Sequence, residues 1–124
     1  MELFILLLMI FLHIVDDFHL QGCLKELKQV KWWRNITQED KYKNDYLVAL
    51  VAHSFSWMFT ISLPIFYINN FSIPSLFMLW FILNVVIHGI IDDMKANKFK
   101  INLIIDQMVH LIQIILTWIL FILI

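Results

Sequence analysis

The chain has 124 residues, of which 61% are apolar, 15% aromatic and only 15% charged. A soluble domain averages roughly 45–50% apolar and about 25% charged, and a chain this short buries only about two-thirds of its unfolded surface. A water-soluble globule is therefore excluded, and so is disorder, which goes with few aromatics and many charges. The net charge of −1 provides no overall field for nucleic acid, so no nucleic-acid partner is expected, and the lone Cys23 allows neither an internal disulfide nor a cysteine zinc site. What remains is one small integral membrane domain whose first partner is the lipid bilayer.

Four apolar runs are long enough to cross a hydrocarbon core of about 30 Å as helices, and too long and uninterrupted for barrel strands. The first covers about residues 1–21. It opens on Met1-Glu2, without a basic leader or a small-residue cleavage site, and is expected to be a retained helix rather than a signal peptide. A polar link, 22–45, follows. Within it Leu24, Leu27 and Val30 recur at helical spacing beside Lys25, Lys28 and Lys31, with Trp32-Trp33 next, which predicts a short cationic helix lying in the membrane interface. Such a helix serves as a topological anchor or recruits an anionic headgroup or phosphate.

The second span, about 46–68, carries Pro64 late in its course and ends at the turn signal Asn69-Asn70. The third, about 74–92, is introduced by Ser72 as a candidate N-cap and by Pro74. After the link 93–102 comes the fourth, about 103–124, which Asn102 can cap. Basic residues fall in the first link (Lys25, Lys28, Lys31, Arg34, Lys41, Lys43) and the third (Lys95, Lys98, Lys100), whereas 69–73 carries no charge. The positive-inside rule makes both basic links cytoplasmic and puts both termini outside. The expected fold is all-α, a four-helix membrane bundle with a short cationic interfacial helix after the first span.

The polar residues inside the spans are few and patterned. His13 and Asp17, His88 and Asp92, and Asp106 and His110 are each four apart, so each pair shares a helix face, and His53 opens the second span. The topology, derived from Lys and Arg alone, brings all seven to one depth near the cytoplasmic face. One such pair is ordinarily a hydrogen-bonded structural pair. Three pairs and a fourth histidine at matched depth in an apolar medium must satisfy one another, meet water or bind a cation. Four imidazoles and three carboxylates suit one or two divalent ions, with Zn, Mn or Fe matching the ligand types, and bundles are a recognised frame for such sites. His13, Asp17, His53, His88, Asp92, Asp106 and His110 are the predicted metal ligands, and Asp17, Asp92 and Asp106 the candidate catalytic carboxylates.

Around them, Gln21, Asn84 and Gln107 are expected to orient ligands, as is Gln113 near His110, while Lys25 and Lys95 are placed to meet an anionic lipid or a phosphorylated substrate. His19 turns roughly 140–160° from the His13/Asp17 pair and reads as interfacial. Asp16, Asp45 and Asp93 read as interfacial beside lysines, and Trp57, Trp80 and Trp118 as packing and belt residues.

The run from His13 to Gln21 reads H-x3-D-F-x-L-Q and is followed by Lys25. His88 to Lys95 reads H-x2-I-D-x2-K, and Asp106 to His110 reads D-Q-x2-H. Together these resemble a domain-of-unknown-function family of small four-span bacterial and phage membrane proteins and, more distantly, membrane-bound metal-dependent hydrolases. The resemblance implies a multi-pass protein of the bacterial plasma membrane. It also implies functional roles for His13, Asp17, Gln21, Lys25, His53, His88, Asp92, Lys95, Asp106, Gln107 and His110. The expected activity is metal-dependent hydrolysis of a phosphorylated or membrane-associated substrate, with an oligomer allowed. The competing expectation is a proton- or ion-translocating or holin-like protein, in which the His/Asp layer is a relay or a packing network. Bis-His haem uses two histidines and leaves the matched carboxylates unexplained.

Overall fold

The computed structural model describes residues 1–124 and is helical throughout, without strands. Helix α1 spans Glu2–Ile14 and runs into a wide turn, Val15–Leu20, wound with i→i+5 bonds. Two short helices, α2 (Leu24–Leu27) and α3 (Val30–Ile36), occupy the first link. The long helices α4 (Asp45–Ile68), α5 (Ser75–Ala96) and α6 (Leu103–Trp118, continuing as a wide turn over Ile119–Leu123) complete the chain. Four helical segments, Glu2–Leu20, Asp40–Ile68, Ser75–Ala96 and Leu103–Leu123, are long and apolar enough to cross a membrane.

Each long helix packs on two others in the ring α1–α4–α5–α6, the arrangement of an up-down-up-down bundle. The bundle is apolar outside as well as inside: Leu3, Leu7, Val48, Leu76, Leu79 and Ile104 are all more than half exposed. In lipid such faces need no cover, and helices associate through close packing and interhelical hydrogen bonds instead. Gly89 shows the closeness required, since a Cβ there would stand 3.1 Å from Ser54 Oγ of α4. The two ends of the interior differ. Away from the basic links it is filled by Ile5, Met9, Met58, Ile61, Ile65, Phe66, Phe77, Phe81 and Ile114, and at the basic end by histidines and carboxylates.

Several expectations change at the level of single turns. Asn102 caps α6, accepting from Ile105 N–H at 3.0 Å. Ser72 is no N-cap: Pro74 precedes the first turn of α5 with extended backbone, and no side chain caps that end. Helix α5 runs on to Ala96 rather than stopping at 92, which puts Lys95 in its last turn, nearly one turn beyond Asp92. The cationic helix is broken into two pieces at Lys28-Gln29, where Gln29 is extended (φ −99°, ψ 123°). The reason is Asn97, at the end of α5. Its Oδ1 accepts from Val30 N–H at 2.8 Å, and its Nδ2 donates to Lys28 C=O at 3.0 Å and to Asp93 Oδ1 at 2.7 Å. The segment is thereby clamped to the end of the bundle, and Lys28, expected at an interface, is turned inward to 4% exposure.

Candidate metal centre

Each of the four membrane-length segments contributes to the polar cluster, and every one of its histidines and carboxylates is buried: Asp17 from the wide turn after α1, His53 from α4, His88 and Asp92 from α5, Asp106 and His110 from α6. Their ligand-capable atoms form three overlapping triads, Asp17–His53–His88, His88–Asp92–His110 and Asp17–Asp106–His110, each with all such atoms within 4.8 Å of one another. The wide turn at the end of α1 matters here, because an extra residue per turn re-aims the side chains that follow it. Asp17 meets His53 and Gln107, while its neighbour Asp16, also buried, turns to α4, where Ser56 Oγ donates to its Oδ1 at 2.7 Å and Thr60 Oγ1 at 3.2 Å. Asp16 is thus an interior residue and not the interfacial one expected.

The carboxylates share one pattern. The Oδ2 atoms each have a donor: Asp92 Oδ2 has Lys28 Nζ at 2.6 Å, Asp106 Oδ2 Lys95 Nζ at 2.6 Å, and Asp17 Oδ2 Gln107 Nε2 at 2.7 Å, with Asp92 Oδ2 also 3.3 Å from His53 Nε2. The Oδ1 atoms of all three point into the cluster and have no hydrogen-bond partner. They lie instead near imidazole nitrogens: Asp17 Oδ1 is 3.2 Å from His53 Nε2, Asp92 Oδ1 is 3.3 Å from His110 Nε2 and 3.8 Å from His88 Nε2, and Asp106 Oδ1 is 3.3 Å from His110 Nε2. A charge-assisted N–H···O bond closes to about 2.7–2.9 Å, and the two lysine pairs, at 2.6 Å, are at least that close. Atoms that ligate one ion at about 2.0–2.2 Å stand about 3.0–3.6 Å apart along the edges of its coordination polyhedron. The Oδ1 atoms and imidazole nitrogens are thus close enough together to share an ion.

Hydrogen bonding also sets the imidazoles. Gln113 Nε2 donates to Asn84 Oδ1 at 2.9 Å and to Asn84 C=O at 3.2 Å, which leaves Gln113 Oε1 as the acceptor 3.2 Å from His110 Nδ1. The proton of a neutral His110 is therefore on Nδ1, and the Nε2 lone pair faces the carboxylates. Asn84 and Gln113 thus orient His110 as a pair. His53 and His88 bring their Nε2 atoms to 3.3 Å, and His88 stacks on both Trp57 (4.2 Å between centroids) and His110 (4.0 Å), which are themselves 5.4 Å apart.

His13 is the exception among the predicted ligands. The indole of Trp57, which can only donate, gives its N–H to His13 Nδ1 at 2.8 Å. His13 Nε2–H then donates to Gln107 Oε1 at 3.0 Å. With both nitrogens committed within the protein, His13 stands outside the three triads. Its position is one step back, orienting the Gln107 amide, which donates to Asp17 and, at 3.1 Å, to Asp106.

Comparison of the chain with protein-family models, curated proteins and solved structures found no match. The site therefore rests on its own geometry. Of the supporting residues expected, Gln107 and Lys95 touch the carboxylates directly. Gln21 bonds the backbone carbonyl of Asp17 at 2.8 Å and not a carboxylate. Lys25 reaches no carboxylate and lines a cavity of about 650 Å³ that abuts the cluster at Asp17, Lys28 and Lys95. His19 is outside the cluster, as expected, but belongs to the wall of that cavity.

Two residues of the centre escaped the sequence reading. Lys28 looked like one of several interfacial lysines, and only its register against Leu24 and Leu27 could have marked it. Trp57 is four residues after His53 on α4, so helical spacing alone would have placed it beside the histidines.

Proposed function

We propose that this chain is a membrane-embedded, metal-dependent hydrolase acting on a phosphorylated or membrane-associated substrate. One observation supports this above the others: three buried carboxylates each bind a neighbour through Oδ2 while their Oδ1 atoms, with the Nε2 of His110, converge without hydrogen-bond partners. Leaving such atoms bare in a dry interior costs about 1–3 kcal/mol apiece, and more for charged groups. A divalent cation at their meeting point removes that cost.

Asp17, His53, His88, Asp92, Asp106 and His110 would hold one or two ions, and mixed imidazole and carboxylate donors without thiolate suit Zn, Mn or Fe. Charge favours the lower number. Three carboxylates against Lys28 and Lys95 leave one net negative charge. One divalent ion with a bound hydroxide neutralises it, whereas two ions leave the interior strongly positive. A bound ion lowers the pKa of its water and polarises a phosphoryl oxygen. Gln107 and the two lysines aim the carboxylates at their meeting point, and Asp17 also lines the cavity beside it.

The rival relay needs a polar path along the bundle. Polar contacts continue from His110 through Gln113 and Asn84, and Trp80 donates to Thr117 at 2.9 Å, but Ile65, Phe66, Phe77 and Phe121 then close the interior.

Metal content per chain of the purified protein, with Asp106→Ala beside it, tests the proposal. The expected result is close to one ion per chain, lost in the variant. Trace metal that is indifferent to Asp106→Ala would defeat the reading.

A further inference from the structure

The cavity of about 650 Å³ beside the cluster has two unlike walls. One is cationic, with Lys25 from α2, Lys28 just after it and Lys95 from the last turn of α5. Lys28 and Lys95 each spend one N–H on a carboxylate oxygen and keep two, and Lys25 has no carboxylate partner at all. Three lysines lining one cavity offer several donors for the terminal oxygens of a tetrahedral oxyanion. The other wall is apolar, made by Phe18 at the end of α1, Phe99 in the α5–α6 turn and Leu103 at the start of α6, which are 54%, 79% and 53% exposed.

Gly22 and Phe99, both lining the cavity, have positive φ (52° each), as have Asn70 and Phe71 in the α4–α5 turn. The cavity is far larger than a phosphate ion needs and falls within the roughly 300–1,000 Å³ of ligand sites.

We infer that this cavity binds a phosphoryl group carried on an apolar chain, with the phosphoryl held by Lys25, Lys28 and Lys95 against the metal centre and the chain leaving past Phe18 and Leu103 into the bilayer. The inference rests on the hydrolase reading for its chemistry but not for its binding geometry. The ligand is thus an amphiphile that enters sideways from the membrane, and Phe18 and Leu103 decide for it over a water-soluble phosphate.

The test uses the full chain in non-ionic detergent, loaded with metal, and calorimetric titration with dioctanoyl phosphatidic acid, glycerol 3-phosphate and inorganic phosphate. Dioctanoylglycerol, which lacks the phosphoryl group, sets the background. Phosphatidic acid is expected to bind at least ~10-fold tighter than glycerol 3-phosphate, since two buried methylenes already supply that factor. Lys25→Gln should weaken phosphatidic acid ~10-fold while metal content stays at the wild-type level. Leu103→Asn should weaken phosphatidic acid and leave glycerol 3-phosphate unchanged.

Equal affinity for the three phosphates would make the ligand a soluble one and overturn the inference. So would binding of phosphatidic acid that ignores Lys25→Gln, or metal-replete protein that binds none of them. Lys25-dependent binding of phosphatidic acid by a protein that holds no metal would uphold the pocket and defeat the hydrolase reading instead.

Discussion

The two ends of the bundle interior are built on opposite terms. Toward the apolar end, Ile5, Met9, Ile61, Ile65, Phe66, Phe77 and Ile114 interlock with nothing but dispersion and shape to hold them. At the basic end the same four helices meet through Asp17, His53, His88, Asp92, Asp106 and His110, of which the three carboxylates and His110 are each fixed by a further donor or acceptor behind them. In water a buried apolar core is the main source of stability. In lipid the outer surface is as apolar as the core, so burial discriminates little. Polar groups then have the larger say in which helix faces turn inward, because exposing them to hydrocarbon costs several kcal/mol. The apolar end is what lets the helices pack, and the polar end is what orients them.

The largest effect that would break this contrast is expected from Asp92→Ala. It strands Lys28, which sits 2.6 Å from the carboxylate in the interior, and breaking one side of a buried pair costs about 3–5 kcal/mol. Unfolding in detergent should show that loss, and elemental analysis should show the metal gone. The double variant Lys28→Met/Asp92→Leu separates the two consequences, because an apolar pair of similar volume should recover most of the stability and none of the metal. Recovery of metal by the double variant would count against Asp92 as a ligand.

Ile61→Ala, at the apolar end, should cost about 2–4 kcal/mol by leaving a cavity while metal content holds. A parallel loss of metal would mean that the two ends are not independent. Trp57→Phe keeps the ring against His88 and removes the N–H that His13 accepts. About 1–2 kcal/mol of stability should go, with metal affinity ~10-fold weaker because the His13–Gln107–Asp17 chain loses its anchor. Unchanged affinity would reduce His13 to packing. The smallest effect is expected from Asn97→Ala, at about 1 kcal/mol. Its mark is local: faster hydrogen exchange over residues 22–36 with the spans unaffected, since Asn97 bonds Val30 N–H and Lys28 C=O.

Much of the centre was legible because helical geometry and topology act together. Residues four apart on a helix share a face, and basic links set which end each face belongs to, so three His/Asp pairs and His53 could be brought to one depth without coordinates. What could not be read was which atom of each group is spent. His13 and His110 are indistinguishable by spacing. A tryptophan donor 2.8 Å from Nδ1 commits one of them, and a glutamine acceptor frees Nε2 of the other. Lys28 was hidden for a related reason, because its charge suggested an interface and the clamp by Asn97 that turns it inward joins residues 69 apart in sequence.

The sequence by itself determined four helices long and apolar enough to cross a membrane, the basic end and the layer in which the scarce polar groups lie. These follow from transfer energies and helical repeat, which are properties of the chain. Only the tertiary structure decided which carboxylate oxygens are left bare, which histidines keep a free lone pair, and that a cationic cavity with one apolar wall adjoins them. Those outcomes depend on hydrogen bonds between helices, whose strength turns on a few tenths of an ångström and on direction.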